Sequence, residues 1–304
     1  MILVMDGFIW ESRIWTGPGK FEDEWLEGAY DKLFMHKAIE FIRCKKEENK
    51  PFLSLIWFTT PHTPVVTGKE HRAMYPDLSI EEQHWFGSIT AMDEQIGRLR
   101  KELKDLEIAD NTALWFCSDN GPSWIHDLNS SGGLRGKKGS LWEGGIRVPA
   151  ILEYPDKFKE HKIINIPVST SDFFPTLLAW AGVKIPDNSP LDGIDITDII
   201  HGRSSKRSKP IGFQSPVLQT NSQDVNAWNQ YSGKAMVWLD NDYKLISVNE
   251  GKDWALYDLS TDKAELTNIA ADHPDVVNKM KEELNIWVSS CSESASGADY
   301  KNKP

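Results

Sequence analysis

Cysteine is scarce in this sequence: Cys44, Cys117 and Cys291 are the whole complement of 304 residues. Thiols so few and so far apart make neither a disulfide framework nor a zinc site. Cys117 lies in an apolar, strand-like run and reads as a core thiol. Long apolar runs are also missing, and no stretch approaches the ~18 consecutive apolar residues of a membrane span. The opening Met1-Ile2-Leu3-Val4-Met5 is too short for a signal-peptide core and lacks a basic leader, so it names no compartment. Basic charge is in deficit, with 34 Lys and Arg against 45 Asp and Glu and a formal net charge of −11. Nucleic acid is thereby excluded as a bulk partner, because phosphate backbones are held by clustered cations. Sulfated polyanions would be repelled too, unless basic residues gather at a local site. Internal repeats and low-complexity tracts are absent.

What is present fits a globular α/β protein. Apolar residues make up 40% and charged residues 26%, and the length suffices for one large domain plus a small one. Residues 27–44 carry a helical pattern. Phe52-Leu53-Ser54-Leu55-Ile56-Trp57-Phe58 is an apolar run of strand length, expected as a parallel strand covered on both faces. It stops at Thr59-Thr60-Pro61-His62-Thr63-Pro64. Ser79 with Glu82 predicts a capping box, followed by a helix whose stripe is Trp85, Ile89, Met92, Ile96, Leu99, Leu103 and Leu106. A second strand, Thr112–Cys117, closes on Ser118-Asp119-Asn120-Gly121-Pro122. Strand, helix, strand is the βαβ unit of a parallel sheet. Functional groups in such sheets collect beyond the carboxyl ends of the strands, where His62 and Asp119-Asn120 both fall. A glycine-rich loop spans 131–145, a strand is expected over 147–152, residues 164–170 read as extended, and a helix opens at Ser171-Asp172-Phe173. Residues 202–210, rich in Ser, Lys and Arg, read as a linker. Beyond it, a hairpin at Met236–Ile246, a strand at Trp254–Leu259 and a helix from Pro274 predict a small antiparallel α+β subdomain. The division expected is 1–205 and 206–304.

Three features stand out chemically. Asp119 and Asn120 offer a carboxylate and an amide oxygen side by side, hard ligands suited to Ca²⁺ or Mg²⁺; Asp-Asn-Gly-Pro is equally strong turn chemistry. His62, between two prolines, sits on a rigid loop at a strand end. The segment Gly132-Gly133-Leu134-Arg135-Gly136-Lys137-Lys138-Gly139-Ser140 brings three cations onto a backbone that can approach an anion closely; it has no P-loop register. Together these suit a tetrahedral oxyanion whose charge must be neutralised while its leaving oxygen is protonated. An evident nucleophile is missing.

The order of Pro61-His62-Thr63-Pro64, Ser118-Asp119-Asn120-Gly121-Pro122 and Leu134-Arg135-Gly136-Lys137-Lys138-Gly139-Ser140-Leu141-Trp142-Glu143-Gly144-Gly145-Ile146-Arg147-Val148-Pro149 resembles that of type I, formylglycine-dependent sulfatases. Asp172-Phe173-Phe174-Pro175-Thr176-Leu177, Leu191-Asp192-Gly193 and Leu256-Tyr257-Asp258-Leu259 extend the likeness, which runs from about residue 20 to the end. The resemblance implies an alkaline-phosphatase-like α/β domain, its mostly parallel sheet incomplete here, with a small C-terminal subdomain carrying an antiparallel sheet. It implies a Ca²⁺ site with Asp119 and Asn120 as ligands, His62 and Lys138 (Lys137 in the alternative register) as catalytic groups contacting the sulfate, and Glu143 and Arg147 bracing the loop. Sulfated carbohydrate is the substrate class expected, and a periplasmic or secreted setting follows from the family.

The departures are equally definite. None of the three cysteines has the Cys-x-Pro-Ser-Arg or Cys-x-Ala-x-Arg context from which the family makes formylglycine, and the family's paired N-terminal aspartates have no counterpart. A truncated, inactive fragment is therefore expected. A phosphoesterase or phosphonate hydrolase of the same superfamily, and a non-catalytic sulfated-glycan binder, remain as alternatives.

Overall fold

The computed structural model describes residues 5–6, 13–17, 20–22, 30–123, 130–186, 189–218 and 231–300. The chain divides into two compact units, residues 1–114 with 153–159, and residues 115–152 with 160–304.

In the first unit, β1 (Met5–Asp6), β2 (Arg13–Gly17) and β3 (Lys20–Glu22) form a small antiparallel sheet. Its main body is α1 (Tyr30–Glu47), the single turn α2 (Lys69–Arg72) and α3 (Ile80–Asp105). Residues 27–29 of the first expected helix lie outside the described residues. The capping box forms as predicted: Glu82 N donates to Ser79 Oγ (3.3 Å), and Ser79 N donates to Glu82 Oε2 (2.9 Å). These bonds satisfy amides that the helix start would otherwise orphan. Met35, Ile39 and Ile42 on α1 meet Leu99 and Leu103 on α3 in one apolar cluster. A bidentate Arg43–Glu102 pair, 2.7 Å at each contact, crosses beside it.

Phe52–Phe58 departs from expectation. No strand ladder forms there, and side chains alternate between half-buried and exposed. Phe52, Ile56 and Phe58 pack on the α1–α3 cluster, while Leu53, Leu55 and Trp57 face outward, 48–63% exposed. The run has the period of a strand with one covered face; without a hydrogen-bonding neighbour among the described residues, its second face stays open.

A pair of strands follows, β4 (Leu114–Cys117) with β5 (Ala150–Glu153). The second unit contains the turn α4 (Glu143–Ile146), α5 (Phe173–Trp180) and α6 (Thr197–His201). Its core is an antiparallel sheet in the order β6 (Ile211–Leu218), β7 (Tyr231–Asp240), β8 (Tyr243–Ser247), β9 (Ala255–Asp258), followed by α7 (Pro274–Ala295). Side chains alternate across the sheet. Trp238, Leu245 and Leu256 take one face and pack on Val277, Met280 and Leu284 of α7. Val237, Leu239, Ile246 and Tyr257 take the other and pack on Leu141, Trp142 and Ile146 of the glycine-rich loop. The C-terminal sheet is thus the floor on which that loop rests.

The expected linker is not a free tether. Arg207 is buried and donates from Nη1 to Asp172 Oδ2 (2.6 Å) and from Nη2 to Asp172 Oδ1 (2.8 Å). Asp172 also accepts from Ser169 N, closing a capping box on the turn Thr170–Asp172, and from Ile194 N, so one buried carboxylate both caps that turn and joins three segments. Residues 164–170 carry no strand. Replacing Arg207 by Met leaves the Asp172 carboxylate buried without its cation. A loss of about 3–5 kcal/mol is expected, read as a lower denaturant midpoint with an unchanged slope; an unshifted midpoint would contradict the buried pairing.

Candidate functional site

The second unit brings Asp119, Asn120 and Lys138 onto adjoining turns. Ser118 N donates to Pro149 O (3.2 Å) as β4 ends, and Ser118 Oγ donates to Asn120 O (3.0 Å). The chain is thereby bent into a turn in which Asn120 N donates to Asp119 Oδ1 (2.9 Å). Gly121 N then donates to Gly145 O (2.9 Å), Lys138 N to Pro122 O (2.8 Å), and Gly144 N to Arg135 O (2.6 Å). Three loop segments, 119–122, 135–140 and 143–147, are laced together by backbone alone.

Glycine is required for that lacing. A Cβ on Gly121 would collide with Gly144 O, one on Gly144 with Gly136 O, and one on Gly145 with Ser140 O. Ser140 completes the knot: its hydroxyl accepts from Lys137 N (3.1 Å) and donates to Lys137 O (2.8 Å). Asp119 is exposed, while Asn120, Lys137 and Lys138 are half-buried. Among the described residues neither lysine ammonium is hydrogen-bonded or ion-paired. Both remain available to an anion.

Beneath the loop lies a cluster of which only Glu143 and Arg147 were expected, as braces. Glu143 is 4% exposed, and Lys244 and Glu265 are fully buried. Lys244 Nζ donates to Glu143 Oε1 (2.9 Å) and lies 2.8 Å from Glu265 Oε1, off hydrogen-bonding angle. Glu143 N donates to Glu265 Oε2 (2.7 Å). Arg147 stands 3.6 Å from Glu143 Oε2. Arg135 stacks on the Trp142 ring at 3.6 Å and donates to Glu265 O (3.1 Å). Two carboxylates thus meet one buried ammonium, and burial pushes the Glu265 carboxyl above its ordinary range despite the attraction of Lys244. The available signal was Lys244 itself, an inward position on a strand covered on both faces. Ordinary strand patterning treats such a lysine as surface.

In the first unit, His62 is exposed on its proline-bounded loop. Asp31 of α1 accepts from Thr59 N (3.0 Å) and Thr59 Oγ1 (3.3 Å), and Thr59 O accepts from His62 N (2.7 Å). Its Nδ1 lies 2.8 Å from Thr63 O. A carbonyl can only accept, so Nδ1 carries the proton and Nε2 is the free nitrogen.

No thiol is activated. Cys44 is raised by its hydrogen bond to Glu48, and Cys117 and Cys291 are raised by burial, the opposite of what a thiolate nucleophile requires. Among the described residues no group of three or more His, Cys, Asp or Glu gathers as a metal site. Asp119 and Asn120 fit a hard divalent cation in donor chemistry and would supply part of its shell. No cysteine of the sequence fits the formylglycine context.

A family profile described as Sulfatase matches residues 5–183, and one described as N-sulphoglucosamine sulphohydrolase, C-terminal, matches residues 136–289. A protein named Sulfatase from Formosa agariphila is 29% identical over 274 residues, covering 83% of this chain and 48% of that protein. Steryl-sulfatase of Homo sapiens is 29% identical over 189 residues, 59% of this chain and 31% of that protein. The crystal structure of Ps i-CgsB in complex with k-i-k-neocarrahexaose is 26% identical, with a TM-score of 0.78, covering 88% of this chain and 56% of that one. These likenesses bear out the alkaline-phosphatase-like α/β class expected from the sequence. The chain spans about a third to a half of the length of those curated relatives. Among the described residues no helix is long and apolar enough to cross a membrane.

Two substitutions test this geometry. Gly121→Ala should force the 119–122 and 143–147 turns apart, lowering the thermal midpoint and raising amide exchange in both; unchanged exchange would refute the contact. Because the Glu265 pKa is raised on folding, its stabilising contribution is complete below the unfolded value near 4.5 and is lost as pH rises through the folded value. Glu265→Gln should flatten that decline in unfolding free energy, and parallel pH curves for the two proteins would show that Glu265 does not cause it.

Proposed function

The chain belongs to the sulfatase family, and from that premise we propose that it carries the sulfate-holding and metal-holding face of a sulfuric ester hydrolase acting on sulfated carbohydrate. The observation that carries this reading is the Lys138 N to Pro122 O hydrogen bond (2.8 Å). It sets an unpaired lysine on the turn next to a carboxylate and amide oxygen pair.

A sulfate ester carries its charge on non-bridging oxygens, and charge moves onto the leaving oxygen as an oxygen nucleophile from outside these residues bonds to sulfur and the ester S–O bond breaks. In this reading Lys138 donates to a non-bridging oxygen, with Lys137 as the register alternative. Binding there is strengthened by half-burial, since less water competes for the anion. His62 serves the leaving oxygen. Thr63 O holds its Nδ1, so only the protonated ring presents an N–H at Nε2, and that proton passes to the departing alcohol. Asp119 and Asn120 would hold a hard divalent cation, Ca²⁺ as the family resemblance implies, with the rest of the shell supplied by other groups. When bound, that cation neutralises charge on the sulfate oxygens. The domain division at residues 205 and 206 belongs to this proposal, the second part being the sheet that supports the loop.

Support for a carbohydrate substrate comes from the neighbour bound to k-i-k-neocarrahexaose, an oligosaccharide by its name. Polymeric sulfated glycans are met outside the cytoplasm, and a periplasmic or secreted setting fits that substrate.

The test is sulfate release from sulfated oligosaccharides by the full product of the reading frame in the presence of Ca²⁺. Lys138→Ala should lower turnover by about 10²–10³-fold, the cost of removing one oxyanion donor, and Asp119→Ala should raise the Ca²⁺ concentration needed. Release unaffected by either change would overturn these assignments. Tight binding of the sulfated sugar with no release would make the protein a binder instead.

A further inference from the structure

The cluster beneath the loop touches neither Lys138 nor Asp119, yet beside the apolar packing of Leu141, Trp142 and Ile146 it ties the C-terminal part of the chain to Glu143 and Arg135 of the loop. Glu143 is gripped twice, its amide by Glu265 (2.7 Å) and its carboxylate by Lys244 (2.9 Å). Arg135, at the other end of the loop, is fastened to the same Glu265 through its carbonyl (3.1 Å) and to the Tyr257 hydroxyl of β9 (3.4 Å). Both holding residues belong to the C-terminal subdomain: Lys244 lies in β8, paired with Leu239 and Tyr257 of the flanking strands, and Glu265 adopts φ +56 on the connection between β9 and α7. The strands fix Lys244 on the loop-facing side of the sheet, and packing there leaves its ammonium no route to solvent.

The geometry points to Lys244 and Glu265 as positioning residues for the sulfate-binding lysine, an inference that rests on the functional reading above. Displacing Glu143 shifts Gly144, whose amide is bound to Arg135 O (2.6 Å), and Gly145, whose carbonyl holds Gly121 N (2.9 Å). Through those bonds the displacement reaches Lys138 on one side and the Asp119-Asn120 turn on the other. A buried charge cluster suits this task better than apolar packing would. Methyl groups slide at little cost, whereas an ammonium between two carboxylates has one low-energy place. The residues act through the loop and touch no reacting atom.

Stability and positioning separate in a pair of variants. Lys244→Met leaves two buried carboxylates facing each other and should both lower the melting temperature and loosen the loop. Lys244→Met combined with Glu265→Gln removes that repulsion, while Arg147 remains beside Glu143. This double variant should recover melting temperature relative to the single one, yet keep raised hydrogen exchange over residues 134–147. In the full product of the reading frame it should keep a fall in kcat/KM of about 10²-fold, the scale expected of an ångström-sized misplacement. Recovery of loop protection and turnover together with melting temperature would reduce the cluster to a stability element and overturn the inference. If the unmodified protein releases no sulfate, the functional reading fails by itself, and exchange over 134–147 still decides whether the cluster positions the loop.

Discussion

The meeting of Glu143, Lys244 and Glu265 is the constraint on which the second unit depends. A glycine-rich loop has a large conformational entropy to lose, and this one is fixed by two devices of different kind. Close backbone contacts among Gly121, Gly136, Gly144 and Gly145 set which turns can touch. The buried ions set where the resulting knot sits on the sheet. Apolar contacts of Leu141, Trp142 and Ile146 with that sheet exclude water from the ions and so strengthen them. The arrangement is costly to form and unforgiving once formed, since removing any one charge strands the others.

Much of the frame was legible beforehand. The stripe from Trp85 to Leu106, with Ser79 and Glu82 ahead of it, specified a helix that appears as Ile80–Asp105 with its capping box intact. The hairpin at residues 236–246 and the helix at Pro274 came out as β7, β8 and α7. Periodicity and capping are local properties, and local properties survive in a linear reading. The joining of Asp119-Asn120 to Lys138 was legible only as motif order, because the bond that effects it runs between backbone atoms and carries no side-chain signature.

Other features were hidden for physical reasons. Arg207 stood in a run of Ser, Lys and Arg, the composition of a tether, and its partner Asp172 lies 35 residues away in sequence. Long-range ion pairs leave no periodic trace. Phe52–Phe58 misled in the opposite sense. A uniformly apolar run signals two covered faces, but cover has to come from a neighbour, and composition does not name one. The thiols held no hidden chemistry: each is held above its ordinary range, so none is activated as a nucleophile.

The glycine contacts bear on how such a sequence can drift under selection. At positions 121, 144 and 145 any added carbon meets a neighbour's backbone carbonyl, which no change of side chain at the neighbour moves. Mutational paths through these three positions are therefore closed whatever side chains stand beside them. At Gly132 and Gly133 nothing among the described residues lies within 4 Å of an added carbon, and their positive φ angles are what restrain them. Evolutionary change in the loop has its freedom at that tip, so lineages can diversify what surrounds the Lys137-Lys138 turn long before they can alter the turn itself.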